Sequence, residues 1–255
     1  MLRPRIVPCL LVHNKGLVKT VKFKDPKYVG DPLNAVKIFN EKEVDELIVL
    51  DIDASAEQRD PNFELIKNLA IECRMPFCYG GGVSTVEHAI KIISLGAEKV
   101  ALNTAAMQNP QIVADIAKAV GTQSVIVVMD VKKKFLGGYE VMTSNGKKGT
   151  GKDPVEMAKK FESLGAGEIV INSIDNDGVM NGFDYVINDK VRNSINIPMT
   201  ILGGAGNIGH LKEAIERYGV IGVAAGSLFV FKGIYKAVLI SYPSQEDLAD
   251  IIRKS

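Results

Sequence analysis

The 255-residue sequence predicts one (β/α)8 barrel of the α/β class, built from two duplicated (β/α)4 half-barrels. Three observations carry that expectation. The length fits one large α/β domain or two small ones, and no polar linker long enough to separate two domains interrupts it. Short β-branched runs alternate with longer amphipathic segments, the signature of βα units around a parallel sheet. Residues 1 to about 120 can be laid over about 121 to 255 with an offset near 120. Two equal four-stranded halves close most economically into a barrel. An open doubly wound sheet is the competing arrangement, and it leaves the equality of the halves unexplained.

The elements follow in order. Eight candidate strands are Ile6 to Val12, Leu47 to Ile52, Pro76 to Tyr79, Lys99 to Leu102, Ser124 to Asp130, Glu168 to Ser173, Met199 to Leu202 and Ile221 to Ala225. Helical patterns lie between them at Asn34 to Phe39, Val86 to Leu95, Val155 to Leu164 and Leu211 to Tyr218. The repeat is legible motif by motif. Asp31-Pro32, an N-cap followed by a proline in the first turn, recurs as Asp153-Pro154. Glu46 with Ile52-Asp53 recurs as Glu168 with Ile174-Asp175, and Gly81-Gly82 recurs as Gly203-Gly204.

Composition narrows the function. Lys and Arg number 31 against 30 Asp and Glu, so the charge balance gives no reason to expect nucleic acid or a membrane surface as the main partner. The opening apolar run, Ile6 to Val12, is far short of the roughly 20 residues that span a bilayer, and it lacks a secretory layout, so a cytoplasmic chain is expected. Three cysteines, Cys9, Cys73 and Cys78, match no common zinc spacing. Neither a structural disulfide nor a metal site is expected, and no cofactor.

In such barrels chemistry sits at the carboxyl ends of the strands. Strands three and seven are followed by Gly80-Gly81-Gly82 and Gly203-Gly204-Ala205-Gly206, where bare backbone N–H groups can approach an anion. Strands four and eight are followed by Asn103-Thr104 and Gly226-Ser227 at the start of expected helices, where the dipole favours phosphate. The two cradles imply a ligand with phosphate at both ends, or a duplicated site of which one is used. Acidic groups gather at the other strand ends: Asp51 and Asp53, Asp130, then Asp175 and Asp177. Each is a candidate for proton transfer or a plain loop cap, and Asp130, ending an apolar strand, points best at the mouth. Its repeat counterpart falls near position 11, where the chain reads leucine.

Lys19 after strand one is a candidate phosphate contact or a solvated loop residue, while His13 beside it is expected to be solvated, and His88 and His210 to lie on helix faces without a role. The tract Lys132-Lys133-Lys134 to Gly138, with Lys147-Lys148, reads as an insertion after strand five that clamps an anion or is simply solvated. At the opposite face Arg5, Glu46, Lys99 and Glu168 stand at strand starts with alternating sign. They are expected either to close the barrel floor as a salt-bridge cluster or to form a gate.

Several stretches resemble the cyclase subunit (HisF) family of imidazole glycerol phosphate synthase over essentially the whole chain. They are Arg5 to Leu10, Asp45 to Ser55, Pro76 to Gly82, Glu98 to Ala106, Gly121 to Asp130, Ser173 to Gly178 and Gly203 to Gly206. The resemblance implies a lyase and cyclase that takes ammonia from a glutaminase subunit docked on the amino-terminal face and uses it on a bisphosphorylated substrate. It places phosphate contacts on Gly82, Asn103, Thr104, Gly178, Gly204, Gly226 and Ser227, and an ammonia gate on Arg5, Glu46, Lys99 and Glu168. It also implies a pair of catalytic aspartates, of which Asp130 is present and the other is Leu11. A leucine handles no proton. Thr20, Asn172, Val179 and Leu202 likewise depart from what that family has at the mouth.

The pattern is similar to a divergent branch associated with surface polysaccharides, in which the barrel serves a glutaminase and a sugar amidotransferase. The expected function is therefore an ammonia relay for amidination of a sugar. Authentic imidazole glycerol phosphate synthesis, with Asp130 assisted by Asp51 or Asp177, and another phosphate-binding barrel enzyme such as a sugar isomerase stand as alternatives.

Overall fold

The computed structural model describes residues 3–252. Eight parallel strands form a closed barrel: Arg5–His13, Leu47–Asp51, Phe77–Gly80, Lys99–Leu102, Val125–Lys133, Glu168–Ser173, Met199–Leu202 and Gly222–Ala225. Each pairs with the next in chain order, and strand eight returns to strand one through Arg5↔Gly222 to Pro8↔Ala225. Because side chains alternate along a strand, each strand serves two layers. In strand one, Ile6 and Leu10 pack outward against helices, whereas Val7 and Cys9 point into the barrel. The inner cluster continues through Ile48, Cys78, Ala101, Val128, Val170, Leu202 and Ala224, so the bore is lined by hydrocarbon and sulfur.

The anticipated helices are present, as Pro32–Glu41, Val86–Ser94, Pro154–Ser163 and Ile208–Tyr218. Helices over Phe63–Glu72, Gln111–Val120, Tyr185–Arg192 and Gln245–Ile252 are additional to those read from the pattern. The repeat is visible in the caps. Asp31 accepts from Asn34 N–H at 3.0 Å, and Asp153 accepts from Val155 and Glu156 at 2.8 and 3.2 Å. After strands three and seven, Thr85 and Asn207 cap the N–H groups of His88 and His210. Each histidine answers through Nδ1, which accepts from Ser84 N–H at 3.5 Å and from Gly206 N–H at 3.1 Å. Both thus make reciprocal caps in which histidine replaces the usual Glu or Gln.

Two hairpins correct the reading of the loops. Gly16–Val21 and Lys24–Gly30 extend strand one as antiparallel strands, and Tyr139–Thr143 does the same for strand five. Lys19 and His13 are therefore not solvated loop residues. Lys19 is 5% exposed, and His13 ends strand one with Nδ1 at 2.8 Å from Asp53 Oδ1. Lys132 and Lys133 belong to strand five itself rather than to an inserted loop. The hairpins meet across the mouth, since a Cβ on Gly146 would collide with the ring of Phe23.

The paired caps generate a first prediction. Asp31→Ala and Asp153→Ala each lower stability by about 1 kcal/mol. They sit on different helices with no shared partner, so the double variant loses the sum, measured as a shift of the urea midpoint.

Candidate functional site

At the amino-terminal floor the four alternating charges meet. Arg5 binds Glu46 through one guanidinium nitrogen and Glu168 through the other, the latter at 2.6 Å. Lys99 Nζ reaches Glu46 at 2.6 Å and Glu168 at 3.1 Å, so each cation holds both anions and the circuit is closed. Thr200 donates a further hydrogen bond to Glu168 at 2.5 Å. Burial by itself would raise the Glu168 carboxyl, but Arg5 and Lys99 outweigh it and hold that group below the ordinary range. Burial opposes charge on Arg5 and Lys99 too, and the two glutamates overcome it and raise both. Space for the guanidinium comes from Gly222, where a Cβ would overlap Thr200 and press on Arg5.

At the other end a cavity of about 100 Å³ opens at the mouth. Its floor is apolar, with Cys9, Leu11, Leu50, Val128 and Leu202, and its polar groups are Lys19, Thr20, Asp51, Asn103, Asp130, Asn172 and Asp177. Asp130 is clasped between the neighbouring strands. Asn103 of the strand-four end donates to one carboxylate oxygen at 3.1 Å, and Asn172 of strand six donates to the other at 2.9 Å. Burial is the main influence on this carboxyl and pushes it up to about 7, with Asn172 pulling the other way and Asp177 adding repulsion. The amide oxygen of Asn172, Oδ1, is buried without a hydrogen-bond partner among the described residues.

Lys19 points inward, donates to Cys9 O at 2.5 Å and lies against Gly226, where a Cβ would overlap it. Burial lowers its affinity for a proton, against the pull of Cys9 and Asp177. Asp177 accepts from Thr20 Oγ1 at 3.0 Å, and burial raises it while Lys19 and Thr20 lower it. Asp51 caps its own loop, accepting from Asp53 and Ala54 N–H at 3.0 and 3.1 Å. Asp175 accepts from Lys133 N–H at 2.9 Å and is not among the residues lining the cavity. Leu11 stands in the mouth beside Leu50, and the hydrogen bonds of Asp130 go to two amides rather than to a second carboxylate.

The two phosphate cradles differ. The first, after strands two to four, borders a cavity of about 420 Å³ lined by Ser55, Arg59, Gly82, Ser84, Thr104 and Lys148 among others. There Gly82 N–H meets Ser55 Oγ at 3.3 Å, and Thr104 Oγ1 accepts from Ser144 N–H at 3.2 Å. In the second, the backbone is closely packed. A Cβ on Gly178 would strike Thr20 O and one on Gly204 would strike Gly182 O. Gly178, Gly204 and Ser227 line neither cavity. Phe23, Asn145 and Arg59 escaped the sequence reading, because only the hairpin and loop geometry brings them to the mouth, whereas Lys148 of the basic tract does line the first cradle's cavity.

Comparison with known proteins gives the lineage. The model of the family described as "Histidine biosynthesis protein" matches residues 5–236. The chain is 54% identical over 248 residues to a protein named "Putative imidazole glycerol phosphate synthase subunit HisF" from Leptospira borgpetersenii, covering 97% of this chain and 98% of that one. It is equally similar, 54% over 248 residues, to "Putative imidazole glycerol phosphate synthase subunit hisF2" of Pseudomonas aeruginosa, covering 97% and 99%. To the "Imidazole glycerol phosphate synthase subunit HisF" of Streptococcus sanguinis it is 39% identical over 229 residues, covering 90% and 91%.

The elevated Asp130 carboxyl predicts a signed pH effect. Its folded-state value near 7 lies above the ordinary 3.8, so its contribution to stability is complete in acid and is lost as pH rises through 7. Asp130→Asn therefore stabilises the chain at pH 8.5 relative to wild type by more than about 1 kcal/mol, and by less at pH 5. Urea unfolding at the two pH values measures the difference.

Proposed function

This chain belongs to the histidine biosynthesis protein family and resembles its HisF subunits, and from that membership we propose that it relays ammonia rather than cyclising an imidazole. Ammonia released by a glutaminase subunit docked on the amino-terminal face enters at the four-charge floor. It passes along the bore and leaves at the mouth for a separate acceptor enzyme that amidinates a surface-polysaccharide sugar. The observation that carries the reading is the pairing of a complete charge circuit with Leu11 opposite Asp130.

The floor suits the task because each glutamate has two cationic partners, so with Lys99 rotated aside both Glu46 and Glu168 remain paired with Arg5. Neutral ammonia crosses Val7, Cys9, Ile48, Cys78 and Ala101 with little electrostatic cost, whereas ammonium and hydrated ions are rejected by the same hydrocarbon. The thiols are spectators, since burial raises Cys9 to about 11 and keeps it protonated at neutral pH. Asp130, poised near neutrality between Asn103 and Asn172, meets ammonia at the exit and can hold it by a hydrogen bond or exchange a proton. A second acid or base facing it across the mouth, which cyclisation requires, has no counterpart at Leu11. The open first cradle, with Arg59 and Lys148, is the place for a phosphorylated ligand if the acceptor is presented here.

Two measurements decide. With ammonium salt and the bisphosphorylated substrate of the synthase, the wild-type chain shows less than about one hundredth of the turnover of a family member with both aspartates, as expected for loss of a general acid or base. Normal turnover abolished by Asp130→Asn overturns the relay and restores the authentic synthase. With the glutaminase bound, Lys99→Met leaves glutamine hydrolysis running but lets labelled ammonia escape to solvent. Unchanged delivery in that variant overturns the gate.

A further inference from the structure

The near-zero net charge averages two unlike regions. Three antiparallel hairpins rise from the carboxyl ends of strands one, five and eight, so all three project from the mouth face: residues 16–30, residues 125–149, and Phe231–Lys232 with Ala237–Val238. They expose ten lysines, Lys22, Lys24 and Lys27, Lys132 to Lys134, Lys147 and Lys148, and Lys232 and Lys236, and, Asp130 in the mouth aside, carry only the carboxylates Asp25, exposed, and Glu140, half-buried. The whole chain has 31 basic and 30 acidic residues, which leaves 21 against 28 outside this set. Shorter loops of the same face carry Asp51, Asp53, Glu57, Asp60, Asp175, Asp177 and Asp184 with Arg59, of which Asp51 and Asp177 line the mouth cavity, Asp175 accepts from Lys133 N–H, and Glu57 is tied to Arg59 at 2.5 Å. One of the ten lysines, Lys133, binds Asp184 at 3.1 Å. The excess of positive charge on the hairpins survives these pairings.

The hairpin tips are apolar. Phe135 and Leu136 are 101% and 94% exposed, and Ile234 and Tyr235 are 88% and 89% exposed. Val238, Leu239 and Tyr28 continue the apolar surface down the strand-eight and strand-one hairpins, which are joined by Lys27 over the Phe231 ring at 5.1 Å. Hydrocarbon tips on lysine-studded stems match an anionic bilayer interface, where apolar side chains enter the acyl boundary and cations meet headgroups. A small phosphorylated substrate would draw on the lysines but has no use for four exposed apolar tips. A protein partner fits less well, because protein interfaces are enriched in arginine and depleted in lysine, and none of these hairpins contains an arginine.

We propose that the mouth face docks peripherally on a membrane surface rich in anionic phospholipid, with Phe135-Leu136 and Ile234-Tyr235 inserted and the lysines of the hairpin stems on the headgroups. With the apolar tips and the lysines on the mouth face, the amino-terminal floor faces away from the surface. The inference does not depend on what passes through the barrel.

The chain contains no tryptophan, which makes the test direct. Phe135→Trp and Tyr235→Trp each place a single reporter at one tip. With phosphatidylglycerol vesicles in 0.1 M salt, where the screening length is about 10 Å, both reporters shift to the blue and the chain sediments with the vesicles. Phosphatidylcholine vesicles give neither effect, and about 1 M salt weakens binding at least tenfold. The variant carrying Ser at 135, 136, 234 and 235 keeps its circular dichroism spectrum and loses vesicle binding at least tenfold. Equal behaviour with both lipids, or no blue shift at either tip, overturns the proposal. Binding that survives the four-serine variant also overturns it, leaving only surface adsorption. If vesicles fail while the wild-type chain, but not the four-serine variant, holds a soluble acidic protein, the face is a protein interface and the lipid assignment falls.

Discussion

The constraint on which the molecule depends is the closed circuit of Arg5, Glu46, Lys99 and Glu168 at the barrel floor. These residues come from strands one, four and six and from the turn into strand two, so they can meet only if the sheet closes. With both glutamates buried and both cations half-buried, charges are not the cheapest way to fill a floor, since apolar residues of equal volume often serve stability as well. Their arrangement is nevertheless fully satisfied: each cation serves two anions, and Thr200 takes up a remaining lone pair on Glu168. Gly222 is fixed by the same need, because a Cβ there would overlap Thr200, the donor to Glu168, and crowd the Arg5 guanidinium beside it. Floor chemistry and strand register are thus one requirement.

The mouth is built by the opposite logic. Where the floor balances charge with charge, Asp130 is balanced by dipoles alone, an amide from each neighbouring strand, and burial leaves it near neutrality rather than firmly ionised. Leucines at positions 11, 50 and 202 supply low dielectric around it. Lys19 is turned into the wall and secured to Cys9 O, so the nearest cation does not neutralise Asp130 directly. The result is a small, mostly apolar chamber with one adjustable proton, above a bore that carries none.

Much of this was legible in the sequence. All eight strands follow from β-branched runs and glycine punctuation, and the charge circuit follows from four residues at strand starts whose signs alternate. What was not legible has a common cause. Lysine-rich and glycine-rich stretches read as loops, because pattern rules register an apolar face and these hairpins bury little of one. Lys19 was the case where that rule misled most, since its burial comes from the hairpin that folds it back on Cys9 and from Asp177 and Gly226 far along the chain. His88 and His210 were set aside for the same reason: a helix-face position hides the fact that the ring reaches back to its own N-terminal turn. The helix at Tyr185–Arg192 is shorter and more polar than those recognised, and the barrel wall recruits it through Ile187 and Val191.

The meeting of Phe23 with Gly146 has a consequence for traffic. Each comes from the extension of a different half, so the roof over the mouth is a single ring resting on a residue that has no side chain to resist it. A gas-sized solute slips beneath such a roof with the backbone at rest. Any larger residue at 146 would push the two extensions apart, because the left-handed backbone there and the closeness of the ring leave a side chain no room.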